Sequence, residues 1–198
     1  MPDLGLQALR TRAWQRLLAG AGPGSLPAWV APHCACVEAL AAAMCDCAER
    51  QGLGVDRAVV QAGALLHDLG RSVTQDVRHA GIGADMLRGD QQRGARWPEA
   101  VVLCVERHTG AGIDAVEART LGLHAKDYTP RTLEEKIVAH ADNLYSGPRR
   151  LGLEEIRAKY EAKGLPGAWR KIEALHRELN VTLGADLASL EPAPLQAP

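Results

Sequence analysis

Apolar residues recur at helical spacing along most of this chain, and the breaks between the repeats are marked by glycine and proline. Leu4, Leu6, Leu9, Ala13, Trp14, Leu17 and Leu18 form the first amphipathic pattern, closed by Gly20, Gly22, Pro23, Gly24 and Pro27. Pro32 opens the next, in a position proline favours near a helix start. Its stripe of His33, Val37, Leu40, Ala41 and Met44 runs toward Arg50 and stops at Gly52. Residues 56–69 come third, with Asp56 as the expected N-cap. Ala58, Val59, Val60, Ala62, Ala64, Leu65 and Leu66 leave that helix almost no polar face, which marks it as buried.

The remaining segments follow the same logic. Residues 71–78 read as a polar loop, and a short helix runs from His79 to a stop at Gly89. Gly81 and Gly83 weaken that helix, a cost that makes sense where another backbone must come close. Pro98 opens a helix through Val101, Val102, Leu103, Cys104 and Val105 to His108, ended by Thr109-Gly110-Ala111-Gly112. After a short helix and loop over 113–130, Thr132 and Glu135 fit a capping box for a helix with Leu133, Ile137, Val138, Ala141, Leu144 and Tyr145 apolar. Two more amphipathic helices are expected at 153–163 and 166–180. No strand pattern stands out, and the expected fold is all-α, a helical bundle. The expected organisation is an N-terminal helix and loop (1–29), a core domain (30–150), a C-terminal helical extension (151–190) and a Pro- and Ala-rich disordered tail (191–198).

Composition narrows this picture. Phe is absent and aromatic residues are only 4%, so a core drawn from the 46% hydrophobic residues must be close-packed Ala, Leu and Val. A net charge of −1 without a basic stripe argues against nucleic acid as a partner. No apolar run approaches the roughly 18 residues of a membrane span, so no membrane partner is expected. Residues 1–12 lack the apolar stretch of a signal peptide, and a soluble, cytoplasmic protein is the expectation. Five cysteines are an odd number for a disulfide framework. Cys34, Cys36, Cys45 and Cys47 mimic two zinc-binding pairs, but on one helix the pairs stand about 16 Å apart. They read as packed thiols.

The chemistry lies where apolar stripes end in ionisable groups. The buried run of residues 58–66 ends in His67-Asp68, followed by Gly70 and Arg71. Burying an imidazole beside a carboxylate is costly unless the two are paired or bind a metal, although a helix cap plus a loop acceptor is the plainer reading of the doublet alone. His33 continues one core stripe, His108 ends another, and Asp142 follows Val138 by four residues on a third. His79 starts its helix. His140 stands about 200° around the helix from Asp142 and is expected to face away from them. His176, among Arg170, Lys171, Arg177 and Glu178, is expected to be exposed. Imidazole and carboxylate together suit Mn, Fe, Co, Ni or Zn.

The ordered series His33, His67-Asp68, Asp142 resembles the HD superfamily, named for its His-Asp doublet. His79 in His-Ala-Gly and His108 in Glu-Arg-His-Thr-Gly point to the subgroup holding two metals. Gly-Ala-Leu-Leu-His-Asp-Leu-Gly-Arg-Ser and Glu-Glu-Lys-Ile-Val-Ala-His-Ala-Asp-Asn-Leu look like a little-characterised, archaeal-type branch of HD phosphohydrolases. The resemblance implies an HD-domain bundle with a metal site in its core. It implies a first metal on His33, His67, Asp68 and Asp142, and a second on His79 and His108 bridged by Asp68. It implies a hydrolase that uses metal-bound hydroxide on a phosphomonoester or phosphodiester of a small nucleotide-like metabolite. Similar six-ligand members split dinucleoside polyphosphates or cyclic phosphates.

Arg71 is placed to reach a phosphate oxygen unless it faces solvent, and Lys136 is a weaker candidate. Thr109, Gly110 and Gly112 line the pocket or simply end a helix. The His-His and Gly-Tyr-Pro signature of the cyclic di-GMP phosphodiesterases is missing, which argues against that substrate. Two rivals stay open: a mixed-valent di-iron oxygenase built on the same six ligands, and a non-catalytic metal- or nucleotide-binding module. The C-terminal helices are candidates for covering the pocket or forming a homodimer contact.

Overall fold

Residues 58–66 leave almost no polar face, and the fold places them at its centre. The computed structural model describes residues 4–19, 26–92 and 94–193. In it, α1 (Leu4–Ala19), α2 (Val30–Arg50), α3 (Arg57–Leu66), α4 (His79–Gln92), α5 (Glu99–Arg107) and α7 (Leu133–Asn143) make the bundle, with the short α6 (Ala115–Thr120) on a connection. α3 packs against α1, α2, α5 and α7, and every residue from Val59 to Leu66 is buried. Among the described residues the fold is all-α apart from one ribbon of two-residue strands, β1 (Tyr145–Ser146) against β2 (Arg149–Arg150), turned at Gly147. α8 (Leu153–Ala162) and α9 (Pro166–Leu183) form a C-terminal hairpin, and α9 docks on α7 and α2. The expected loop glycines at 20–24 and the last five residues of the expected tail lie outside the described residues.

The local rules account for most boundaries. The Asp56 carboxylate accepts from the Val59 N–H, 3.1 Å, and the Thr132 hydroxyl from the Glu135 N–H, 3.3 Å. The capping box at 132–135 is only half made. The Glu135 carboxylate turns instead to the Arg131 N–H at 2.7 Å and to Arg107 at 2.9 Å, tying α7 to α5. α3 stops at Leu66, three residues earlier than expected, and a 3-10 turn at Leu69–Ser72 follows. α4 runs through Gly89 to Gln92, because Gly89 keeps a negative φ and does not break the ladder.

α2 is long and apolar enough to cross a membrane by length and composition, which corrects the expectation that no such segment exists. Yet 67% of that window is buried within the fold, and buried His33 and Glu38 lie on it. Core burial explains its composition. Cys34, Cys45 and Cys47 are buried on the same helix, and all five cysteines are free thiols.

Gly70 and Gly83 set the position of α4. A Cβ on Gly70 would collide with the carbonyl oxygen of His79 and stand 2.7 Å from the Gly83 nitrogen. The turn after the His-Asp doublet therefore lies directly on the first turns of α4, which brings His79 to Asp68. Gly83 is the close-approach glycine the sequence suggested; a Cβ on Gly81 would meet nothing within 4 Å.

Candidate metal centre

Each of four imidazoles is anchored at Nδ1 by a backbone carbonyl. His67 caps α3 and donates to Ala64 O at 2.7 Å. His108 caps α5 and donates to Val105 O at 2.7 Å. His79 opens α4 and donates to Asp76 O at 2.6 Å. His33, in the first turn of α2, donates to Gly147 O at 2.8 Å. A carbonyl can only accept, so each ring carries a proton on Nδ1 and, when neutral, presents a lone pair at Nε2. Helix ends leave orphan carbonyls, and at α3 and α5 the histidine that follows the helix satisfies one of them.

The four Nε2 atoms converge in two pairs. His33 and His67 stand 3.1 Å apart, and His79 and His108 stand 3.0 Å apart. Asp68 lies between the pairs. Its Oδ2 is 3.8 Å from His33 Nε2 and 3.7 Å from His67 Nε2. Its Oδ1 is 3.1 Å from His79 Nε2 and 3.7 Å from His108 Nε2. Asp142 Oδ1 closes the first group, 3.0 Å from His33 Nε2 and 3.5 Å from His67 Nε2. The four histidines and Asp68 are buried, and the Asp142 side chain keeps 23% exposure toward the cleft.

Two imidazole lone pairs facing each other at such distances repel unless a cation stands between them. Nitrogens that share a cation at about 2.1 Å lie about 3.0–3.4 Å apart at tetrahedral or octahedral angles, which is the spacing seen. The buried Asp68 Oδ1 has no aligned hydrogen bond. The side chains that meet within one metal's reach are His33, His67 and Asp68; His67, His108 and Asp142; and Asp68, His79 and His108. These residues therefore fit a divalent metal ion. The electrostatics agree. Burial pushes the Asp68 and Asp142 carboxyls up, but the imidazoles around them, His67 foremost, hold both well below the usual carboxylate range. Burial opposes a charge on His67, yet Cys34 and the two carboxylates outweigh it and raise its proton affinity. A cluster that draws in a proton so strongly also favours a cation.

The cluster floors a cleft of about 360 Å³. Arg71, Thr109 and Gly110 line it. The Arg71 guanidinium packs toward the Trp29 ring, with its Nε 2.7 Å from Asp68 Oδ1 and its Nη1 donating to Gln75 O. Lys136 is a correction. Its amine pairs with Glu178 of α9 at 2.6 Å, on a different cavity, because it points away from the face that carries Asp142. Gly112 lies in a neighbouring apolar groove of about 430 Å³, which meets the cleft at Tyr160. Burial pushes the Tyr160 phenol up to about 12, so it keeps its proton.

Sequence reasoning missed the far wall of the cleft: Lys159, Tyr160 and Lys163 from α8, and Ser146 and Gly147 from the ribbon. The i, i+4 lysine spacing was visible, but nothing local says which side of the bundle α8 closes on. His176 is a second correction. It is only 5% exposed and contacts His140, which is fully buried, Nδ1 to Nε2 at 2.9 Å. His176 falls on the α9 apolar stripe of Trp169, Ile172, Leu179 and Leu183, a signal outweighed by its charged neighbours.

Residues 30–147 match the HD domain family. The chain is similar to the tRNA (cytidine(56)-2'-O)-methyltransferase of Picrophilus torridus, 46% identical over 78% of this chain and 42% of that protein. It is likewise similar to the protein of the same name from Thermoplasma volcanium, 46% identical over 65% of this chain and 37% of that one. The chain thus spans about two fifths of the length of these two relatives. An uncharacterised protein of Methanocaldococcus jannaschii is 42% identical over 76% of this chain and 88% of its own length. Among solved structures, the HD domain of the L. monocytogenes phosphodiesterase PgpH aligns at TM-score 0.48 and 18% identity, over 87% of this chain and 97% of that one. The chain belongs to the HD domain family.

Proposed function

We propose that this chain is a metal-dependent phosphohydrolase that binds two divalent transition-metal cations and cleaves a phosphomonoester or phosphodiester of a small nucleotide-like metabolite. One observation carries the reading: Asp68 stands between two pairs of inward-facing imidazole lone pairs. His33, His67, Asp68 and Asp142 would hold one cation, and Asp68, His79 and His108 the other. Fe, Mn, Co, Ni and Zn suit this donor set. When bound, such cations polarise phosphoryl oxygens and bring the acidity of coordinated water near neutrality.

The chain's own residues supply positioning. The four backbone carbonyls lock the ring tautomers and aim each Nε2 inward. Arg71 holds one oxygen of Asp68 and turns the free side of its guanidinium to the cleft, where it orients a phosphoryl oxygen. Asn143, next to Asp142, donates to Gly110 O at 2.9 Å and ties the two walls together.

Metal content per chain, measured on anaerobically purified protein, comes first, followed by hydrolysis of an aryl phosphate and an aryl phosphodiester. Two metals per chain and phosphate release that a chelator abolishes are expected. A chain that takes up no metal overturns the reading. Two irons with substrate-dependent oxygen uptake and no hydrolysis would move it to the oxygenases. The names of the two longer relatives suggest a rival, methyl transfer to tRNA. Methyl incorporation into tRNA from a methyl donor, without phosphate release from any ester, would decide for it.

A further inference from the structure

Part of the lining of the cleft comes from Lys159 and Tyr160 of α8 and from Lys163 just after it, outside the residues that match the family. Lys159 and Lys163 lie one helical turn apart and so share a face, and both line the cleft. Neither has an ion-pair or hydrogen-bond partner among the described residues. Most cations among the described residues are engaged, for example Lys126 with Glu106, Lys136 with Glu178 and Lys171 with Glu117. Even the nearest obvious partner is occupied. Glu155, four residues before Lys159, binds Arg149 at 2.8 Å and the Gly152 N–H at 3.1 Å. Of the acids on the cleft, Asp76 is paired with Arg78, and Asp68 and Asp142 belong to the metal cluster. Desolvation, and then the charge of Lys163, disfavour the Lys159 ammonium, with the Asp142 carboxylate acting in the opposite direction. A helix C-terminus favours a lysine at its end, as at Lys163; Lys159, exposed one turn earlier, adds a second like charge to the lining of the same cavity.

We propose that Lys159 and Lys163 form an anion-binding arm of the metal cleft, so that the cleft takes a ligand with a second anionic group, phosphoryl or carboxylate, beyond the one that meets the histidine–carboxylate cluster. The proposal rests on the reading of that cluster as a phosphate-ester site. It turns a general phosphoester site into one selective for bis-anionic molecules, and it assigns the selectivity to the C-terminal hairpin.

Binding of orthophosphate and of pyrophosphate to the metal-loaded full chain, measured by calorimetry, tests it. Pyrophosphate should bind about tenfold or more tighter than orthophosphate. In Lys159→Ala/Lys163→Ala the two should bind within about twofold of each other, with metal content unchanged. Lys159→Arg/Lys163→Arg should restore the preference, since a guanidinium also pairs with phosphate. Any stripping of metal by pyrophosphate affects all three proteins alike, so the ratio isolates the lysines. A wild-type chain without the preference, or a double alanine variant that keeps it, overturns the proposal. Selective pyrophosphate binding without hydrolysis of any ester would sink the hydrolase and leave the arm standing; hydrolysis without the preference would sink the arm alone.

Discussion

Two groups of buried histidines sit in this bundle, and they differ in where their lone pairs go. In the first, His33, His67, His79 and His108 each give the Nδ1 proton to a backbone carbonyl and leave Nε2 open toward carboxylates. In the second, His140 and His176, every lone pair is used. Asn180 Oδ1 accepts from the Leu187 N–H, so its amide nitrogen donates to His176 Nε2 at 3.1 Å. His176 Nδ1 must then donate to His140 Nε2, which leaves a proton on the buried, unpartnered His140 Nδ1. Burial pulls His140 down to about 3, helped by His176 and Arg150. Burial and residue type are the same in both groups. Convergent lone pairs with carboxylates make a cation site; a closed donor chain makes a neutral strut between α7 and α9.

The contrast can be broken from either side. Asp68→Ala should have the largest effect, removing both metals and lowering phosphate release by roughly a thousandfold or more; a variant that keeps two metals per chain would refute the bridging role. Gly70→Ala should come next. Its methyl group must push the doublet's turn off α4, costing about 3 kcal/mol and weakening the His79–His108 half of the site first, read as the loss of one metal per chain before the other. His140→Ala should cost about 2–3 kcal/mol in denaturant unfolding while metal content stays at wild type; loss of metal there would merge the two groups.

The same pair governs an acid effect. The folded His140 titrates near 3 and the unfolded side chain near 6.5, so between those values only the unfolded state binds the proton. Stability attributable to His140 is present above pH 6.5 and falls by about 1.4 kcal/mol per pH unit below it. The difference in stability between wild type and His140→Leu, followed from pH 7 to 4, should show that slope. Lys136→Ala should do least: below about 1 kcal/mol in stability, with metal content and phosphate release near wild type, as for a surface ion pair.

The helices and several ligand-type residues of the first group were legible because they lie on, or at the end of, an apolar stripe, while His79 showed only as a helix start. His67 and His108 follow buried runs, and Asp142 falls four residues after Val138 on the face turned inward. His176 was misread because Arg170, Lys171 and Arg177 suggested solvent, although the stripe through Ile172 and Leu179 passes through it. Lys136 was misread in the other direction, as its partner Glu178 lies 42 residues away. Lys159 and Lys163 escaped notice because their i, i+4 spacing says that they share a face, not which side of the bundle that face closes on. Periodicity reports which face is buried; it does not report which distant wall that face meets.

The Gly147 carbonyl that aims His33 lies 114 residues further along the chain, just past Asp142. During synthesis His33 therefore emerges long before the group that sets its ring. Only once the ribbon turn at Gly147 has left the ribosome and closed on α2 do all four imidazoles face inward. A chain interrupted before Gly147 leaves His33 without its anchor and its Nε2 free to turn away.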